Sequence, residues 1–549
     1  MSPTPTVTIP RQRTAGPPPP PARARSPLIA WGLLVAGVAV LLLGYLRIAR
    51  ANTTNADGAA NALQAADILH GNVFLSGWSL SDVSFFPTEL LQYALIELVY
   101  GLNPDVVHVA AASTYVLLIV FAALAARGSA TGAAAWGRSA LVVAALLVPE
   151  PHAGWSIVLN TPDHTGTGVP LLVAALLIDH RGALRRWWPA AITALLVVAQ
   201  MGDPLAMYIG ALPLAVVSAF RIVRGGSASR MPDLHLLVAA VSSVAIAHAA
   251  VALIGRFGGY QVHPPIAEFT TWADVPDHLL MLARTTAVDW GAYFPFLGGD
   301  GPFVTALNYA AASVKLLLMA AALAALGVTV AGLLRRRLAE DRTAQWLAAA
   351  ITVNLAAFVA STQAADMASA RQVVAVLPFG AVLAGRVFGD RLGALLRRPP
   401  RGMPVRAVAG ALAAVLLAAF AVQAAIAKPA PPEAAEAAAW LEAHDLHYGV
   451  GAYWASHTVT VATGGRVRVA PIVDQVPRAF HWESRAEWFD PRRHDARFVI
   501  VDRELEHYGT LSGVVIRLGP PVQQVDLHRW TILVYDHNVL YHLPRHQRP

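Results

Sequence analysis

Residues 51–71 read "ANTTNADGAANALQAADILHG". They begin beside an apolar stretch, 28–46, whose length suits a bilayer crossing, for which roughly 17 to 25 mostly apolar residues are needed. The stretch 51–71 is neither a plain linker nor a charged loop. A single acid, Asp57, opens a short alanine-rich amphipathic pattern over 58–70. The pattern predicts a small helix held just past the membrane edge, and the acid at its start has two readings. It caps the helix by accepting from backbone N–H groups, or it supplies a carboxylate to chemistry at the membrane surface. One residue can do both.

The composition fixes the class. Of 549 residues, 56% are hydrophobic and only 14% charged, with mean hydropathy +0.50. Soluble domains carry roughly 25% charged residues, so the chain reads as a polytopic α-helical membrane protein. It has no cysteine, which excludes disulfides, thiolate nucleophiles and cysteine metal sites. The net charge of +7 is no nucleic-acid footprint, because nearly all of it is arginine in short loops, the pattern that orients a protein in a bilayer. Lys315 and Lys428 are the only lysines. Residues 1–27 are proline-rich and basic without apolar periodicity, and predict a disordered cytoplasmic tail.

About eleven stretches are candidate spans, 28–46, 105–126, 139–150, 168–180, 187–201, 204–223, 233–255, 303–333, 344–361, 371–388 and 405–427, the short 139–150 and 168–180 being read as extended by their flanks or as partly re-entrant. With the N-terminus inside, the inner turns collect Arg127, Arg138, Arg181, Arg185, Arg186, Arg221, Arg224 and Arg230. They also collect Arg335, Arg336, Arg337, Arg342, Arg386, Arg391, Arg397, Arg398, Arg401 and Arg406. The outer loops hold only Arg47, Arg50, Arg256, Arg284 and Arg371. Thus 28–427 is expected to form the membrane domain. The loops 47–104, 150–167 and 255–302 would face outward, and 428–549 would form an extracytoplasmic domain at the plasma membrane.

The first outer loop continues through "FFPTELLQY" (85–93) and a helix ending "YGLNPD" (100–105), which feeds the next span. An arginine opens a late span in "ASARQVVAVLPFGAVLAGR" (368–386). A span, an acid opening an amphipathic helix, an aromatic–Pro–polar element and a late arginine resemble the GT-C superfamily of membrane glycosyltransferases. That fold is shared by polyprenyl-phosphate-sugar-dependent mannosyltransferases and aminoarabinose transferases. Here Gly58, Thr88 and Gln372 stand where many members carry an acid, a proline and an aromatic. The resemblance implies transfer of a sugar from a polyprenyl-phosphate donor to an envelope acceptor on the outer face. It makes Asp57 the catalytic carboxylate and Arg371 a donor-phosphate ligand.

Other residues compete for roles. The loop 150–167 clusters Glu150, His152, Asp163 and His164. These are open to three readings: contact with acceptor or phosphate, ordinary turn chemistry, or a divalent metal; the spacing fits no known ligand pattern, so no cofactor is assigned. Asp203 in "MGDPL" is a second catalytic candidate, pinned at a short outer turn, although Asp–Pro is also a common turn pair. Lys315 lies within a span, where charge by default marks function, unless it snorkels to the surface. The loop 255–302 carries eight aromatics, among them Trp290, read either as an interfacial belt or as stacking faces for sugar.

The last 120 residues change composition. Residues 432–445 read as a helix, and "YGVGAYW", "TVTVAT", "RVRVAPI", "RFVIVD" and "WTILVYD" as strands of a small α/β or α+β domain. The expected partners are membrane lipids, the polyprenyl-phosphate sugar and an envelope acceptor, with no nucleic acid. Two rival functions stand beside transfer. One is a transporter or lipid flippase, which would carry internal repeats and midplane broken helices. The other is a catalytically silent relative that binds cell-envelope material.

Overall fold

The computed structural model describes residues 27–179, 187–224, 227–335 and 341–544. The expected tail, apart from Pro27, lies outside them, as do Arg181, Arg185, Arg186, Arg336 and Arg337. Each of the eleven apolar stretches contains helix. Among the described residues, seven helices are long and apolar enough to cross a membrane: Trp31–Ala49, Asp105–Arg127, Met207–Arg224, Arg230–Arg256, Pro302–Leu334, Arg342–Ala360 and Val405–Ile426. Gly132–Leu146, Gly168–Asp179 and Trp188–Gly202 are shorter apolar helices. Val376–Arg397 carries Arg386, Asp390, Arg391 and Arg397 among its apolar residues. The protein is a multi-pass helical membrane protein with a sheet-containing C-terminal region.

Helix Val376–Arg397 packs most extensively against Gly132–Leu146. The cause is a row of glycines four apart, Gly385, Gly389 and Gly393, which lie on one face of the helix. A Cβ on Gly389 would stand 2.6 Å from the Arg138 backbone nitrogen, and one on Gly393 2.1 Å from the Ala133 carbonyl oxygen. Opposite them, a Cβ on Gly137 would stand 2.1 Å from the Gly389 oxygen. In lipid there is no hydrophobic force between helices, so close backbone contact of this kind supplies the attraction.

Buried charges add a second tie. Asp233, fully buried, is shared by Arg221 and Arg342, and Arg386 joins Asp179 to Asp341. Arg221 and Arg386 are only 5% and 8% exposed, so these two are not the solvated turn charges that the sequence implies. An acid inside a bundle is costly unless paired, and the guanidinium fork pairs it while keeping its own charge. Lys315 neither snorkels nor reaches a loop. Its Nζ donates to the carbonyl of Ala145, while Tyr115 and Tyr45 donate to those of Leu146 and Leu147, each at 2.7 Å. These carbonyls lie at the C-terminal end of Gly132–Leu146, where a helix leaves acceptors unsatisfied and its dipole favours a cation.

The loop 47–104 folds into two short helices, Ala56–Leu69 and Glu89–Tyr100, which pack on each other. The cap of the first is Asn55, whose side chain accepts from Gly58 N at 3.0 Å. Asp57 is therefore not the N-cap, which corrects that reading of the sequence. Asn55 has the extended backbone a cap needs (φ −95°, ψ 175°), whereas Asp57 lies inside the first turn of the helix.

The C-terminal region builds a six-stranded mixed sheet. Its spatial order is Arg478–Ala479, Arg468–Val473, Tyr448–Ala452, Phe498–Asp502, Trp530–Val534 and Gln523–Asp526. Of the expected strands, "TVTVAT" is a helix, Tyr453–Ala462. Its β-branched residues favour strand locally, but tertiary packing overrides them. Val459 buries against the sheet and Val461 against the loop helix Ala56–Leu69. Thr458, Thr460 and Thr463 turn their hydroxyls back onto carbonyls of the preceding turn.

Alternate residues of the central strands go to different cores, as the period of two requires. Val469, Phe498, Ile500 and Ile532 pack beneath the helices Ala435–Ala443 and Tyr453–Ala462. Val450, Ala470, Ile472, Val499, Val501 and Leu533 face Leu75, Trp78, Leu80, Phe85, Phe86 and Leu90 of the loop 47–104. A second, three-stranded sheet seals this junction. Trp78–Leu80 runs between Gln261–Val262 and Ser484–Arg485, one short strand from each of three distant regions.

The glycine row makes a direct prediction. Gly389→Ala should lower the thermal stability of the detergent-solubilised protein, since overpacking costs about 1–3 kcal/mol. Gly327→Ala, with nothing within 4 Å of the added Cβ, should be neutral or gain up to about 1 kcal/mol from helix propensity. Equal behaviour of the two variants would refute the close-packing account.

Candidate active site

The carboxylate of Asp57 is positioned by helix Ala56–Leu69 and met by the C-terminal region. Tyr453 Oη lies 2.7 Å from Asp57 Oδ1 and 2.8 Å from Glu483 Oε2. Tyr453 opens the helix that follows strand Tyr448–Ala452, and Glu483 immediately precedes the short strand Ser484–Arg485. One turn further along the loop helix, Asn61 donates from Nδ2 to Asp163 Oδ1 at 3.0 Å. The loop 150–167 also supplies His164, whose Nδ1 is 2.8 Å from Asp203 Oδ2, and Thr167, which donates to the same oxygen at 2.6 Å. Asp203 Oδ1 accepts from Leu205 N at 2.8 Å.

Beside them stands Glu89, 2% exposed and bonded to the Thr88 hydroxyl. Two glycines make room for this pair. A Cβ on Gly166 would fall 2.1 Å from Glu89 Oε1, and one on Gly202 2.2 Å from Thr88 Oγ1. Phe85, His164 and Glu483 all hold positive φ (51°, 56° and 48°). Such strain persists where the surroundings over-determine the backbone, and it gathers at functional sites.

The electrostatics follow from crowding acids in a buried place. Burial, with a lesser push from Asp203 and Asp163, raises Glu89 to about 8. Burial and the neighbouring Asp57 raise Asp163 to about 6. Glu483 is pushed well above the usual carboxyl range, by burial first and Asp57 second. Burial alone would also raise Asp203, but the charge and hydrogen bond of His164, with Thr167 and Leu205, together hold it below its ordinary value. Burial opposes the charge on His164, yet Asp203 outweighs it and raises the imidazole. Among the described residues, Arg371 is a cation that acts on this group from outside. Its charge is felt by Asp163 and His164, and it is exposed, with no hydrogen bond or salt bridge among the described residues. It lies in the short 3₁₀ segment Met367–Gln372, which Asp366 and Ser369 cap reciprocally.

The structure thus gathers Asp57, Asp163, His164, Asp203 and Arg371. It does not bring Lys315 or Trp290 to them. Lys315 serves the C-terminal end of Gly132–Leu146, and Trp290 is 2% exposed with its ring against Gly380, beside Lys315. Glu150 accepts from Gly154 N at 2.8 Å within its own turn. Among the described residues, no three His, Asp or Glu side chains are grouped so as to hold a metal ion. Sequence reasoning missed Glu89, Tyr453 and Glu483. Glu89 was visible only as an acid too costly for lipid, and Tyr453 sits in a stretch that reads as strand. No local signal marks Glu483.

No protein-family model matches the sequence, and no curated protein matches it. Solved structures do resemble it. ArnT from Cupriavidus metallidurans bound to undecaprenyl phosphate superposes over 92% of this chain and 98% of its own, with a TM-score of 0.52 at 14% identity. The same protein in the apo state covers 94% and 100%, with a TM-score of 0.44 at 15% identity. The Archaeoglobus fulgidus oligosaccharyltransferase tethered to an acceptor peptide covers 86% and 70%, with a TM-score of 0.47 at 13% identity. The first of these carries the comparison: the chain shares the fold of ArnT. At these identities the likeness concerns fold.

The buried acids make stability depend on pH. Glu89 and Glu97 are raised to about 8 and Asp163 to about 6. Between the unfolded and folded values the native state binds more protons than the unfolded one, so stability falls as pH rises. The raised His164 acts in the same direction. Above about pH 6.5, where the buried His457 is neutral in both states, the melting temperature in detergent should therefore drop toward about pH 8, and Glu89→Gln should flatten the slope. A melting temperature that rises across that window would contradict the assignment.

Proposed function

We propose that this protein is a glycosyltransferase that moves a sugar from a polyprenyl-phosphate donor to an acceptor hydroxyl at the outer face of a bacterial plasma membrane. The observation that carries the reading is the convergence of Asp57, Asp163, the His164–Asp203 pair and the unpaired Arg371 on one end of a GT-C-fold bundle. In the reaction the bond between sugar and phosphate oxygen breaks, and the acceptor oxygen bonds to the sugar carbon. The acceptor proton passes to Asp57, which acts as general base. The leaving lipid phosphate keeps the electron pair, and Arg371 stabilises its charge through bidentate hydrogen bonds. The His164–Asp203 pair shapes the wall of the site and holds a positive imidazole near the phosphate.

A groove of about 420 Å³ supports the lipid part of this reading. It is lined only by apolar residues, among them Trp272, Leu279, Leu282, Leu355 and Val359. Its walls are helices Val275–Asp289 and Arg342–Ala360, and the segment bearing Arg371 packs against the first of these. An apolar groove on the helix that packs against the arginine's segment matches a donor with a hydrocarbon chain and a phosphate head. Undecaprenyl phosphate is what the ArnT structure holds.

Removing a general base costs about 10²–10⁴ in rate. Asp57→Asn should therefore fold and insert but lose transfer by that order, whereas Arg371→Ala should chiefly weaken donor binding. An Asp57→Asn variant that transfers sugar at the wild-type rate would move the base assignment to Asp203.

Orientation is part of the proposal: N-terminus in the cytoplasm, with the loops 47–104, 150–167 and 255–302 and residues 428–549 outside. The chain's lack of cysteine allows single cysteines at positions 228, 280 and 480 to be labelled in intact cells. Positions 280 and 480 should react with an impermeant reagent, and 228 should not. Labelling of 228 alone would invert the topology.

A further inference from the structure

Tyr453 carries one hydroxyl proton, yet its oxygen lies within hydrogen-bond distance of two carboxyl groups, 2.7 Å from Asp57 and 2.8 Å from Glu483. Two such contacts need two protons between three oxygens. The tyrosine supplies one, so the second resides on a carboxyl group. Glu483 is 4% exposed and enclosed by the C-terminal region, while Asp57 is half-buried and faces the site. A buried charge is far more costly than one near water, so the proton belongs to Glu483.

We propose that Glu483 and Tyr453 form a proton-ordered chain that positions Asp57: neutral Glu483 donates to the Tyr453 oxygen, and Tyr453 donates to Asp57 Oδ1. The chain holds the Asp57 carboxyl group in place through its Oδ1. It also gives the C-terminal region a defined task, because both positioning residues belong to it. The inference deepens the glycosyltransferase reading, on which it rests for the role of Asp57. It does not rest on that reading for the protonation pattern.

Several groups face this chain. From the loop 150–167 comes Asp163, and from helix Glu89–Tyr100 comes Tyr93. Ser81 is bonded to Glu483, and His457 lies one helical turn from Tyr453, with ring centroids 5.3 Å apart. Glu433 and Tyr508 sense the charge of Asp57. Burial pushes His457 down to about 4 and Glu433 upward, so neither brings a compensating positive charge. Arg371 acts on Asp163 and His164, but among the described residues no cation is bonded to Glu483, Tyr453 or Asp57, so ionising Glu483 would place a second negative charge beside Asp57.

Infrared difference spectra of the full-length protein in detergent micelles test the chain without any substrate. At neutral pH, Glu483→Gln should remove a protonated-carboxyl band, and Asp57→Asn should remove a carboxylate band. Tyr453→Phe, which loses the donor, should shift the frequency of the Asp57 carboxylate band. In a transfer assay with a polyprenyl-phosphate sugar and an envelope extract, Tyr453→Phe should lower kcat about ten- to a hundredfold, the scale of one lost hydrogen bond to a charged group. KM for the donor should be unchanged, and Glu483→Ala should be more impaired than Glu483→Gln, which still donates to Tyr453. A carboxylate band lost in Glu483→Gln, or an Asp57 carboxylate band unshifted in Tyr453→Phe, would overturn the chain. Those outcomes leave the transferase reading standing, whereas wild-type transfer by Asp57→Asn overturns its base and leaves the spectra interpretable.

Discussion

The site depends on one constraint: the C-terminal sheet has two apolar faces, and its own short helix Leu511–Leu518 does not close the second of them alone. Residues 75–90 of the first loop complete that cover, beside Val514 and Leu518. A half-covered sheet would expose a continuous apolar surface to water, so docking onto the loop is driven by the same burial that folds the sheet. That docking brings Tyr453 to Asp57, places Ser484–Arg485 beside Trp78–Leu80, and fixes the loop helices over the end of the bundle. Arg485 completes the joint by pairing with Asp67 at 3.0 Å, as Trp78 also does through its indole N–H at 2.8 Å.

Charge is distributed by location. Inside the bundle, Asp233, Asp179 and Asp341 are neutralised by arginines that keep their charge. In the candidate site the acids outnumber the cations, so several carboxyl groups are held neutral by burial while Asp203 is ionised by His164. Environments that push neighbouring titratable groups apart are how one site comes to hold both acids and bases. Arg371 is exposed at the edge, with no side-chain hydrogen bond or salt bridge among the described residues.

Much of this was legible in the sequence. Every apolar stretch became helix because bilayer length and composition leave few alternatives, and the two loop helices formed where charge forbade lipid. The fold itself was readable from "FFPTELLQY", the "YGLNPD" ending and the late arginine. Part of the arrangement was anticipated: Asp163, His164 and Asp203 stood out as polar residues at outer turns, the resemblance pointed to Asp57 and Arg371, and the structure places the five near one another. Lys315 stood out as a charge within a span and serves a helix terminus instead, since a sequence does not show which carbonyls a buried ammonium will meet. Asn55 took the cap expected of Asp57, two positions away. Tyr453 and Glu483 were illegible because their meaning arises only when the C-terminal sheet meets the first loop, a contact across about 400 residues that no local pattern encodes. The helix in "TVTVAT" was hidden for the same reason: packing on both sides outweighed the strand preference of its residues.

The central claim is that this bundle transfers a sugar and does not move a lipid across the membrane. The most direct measurement uses purified wild-type protein in sealed proteoliposomes, with a polyprenyl-phosphate sugar in the bilayer and an envelope-derived acceptor fraction outside. The account predicts that free polyprenyl phosphate appears one-for-one with glycosylated acceptor. Translocation of the intact polyprenyl-phosphate sugar to the opposite leaflet, with no glycosylated acceptor formed, would contradict it.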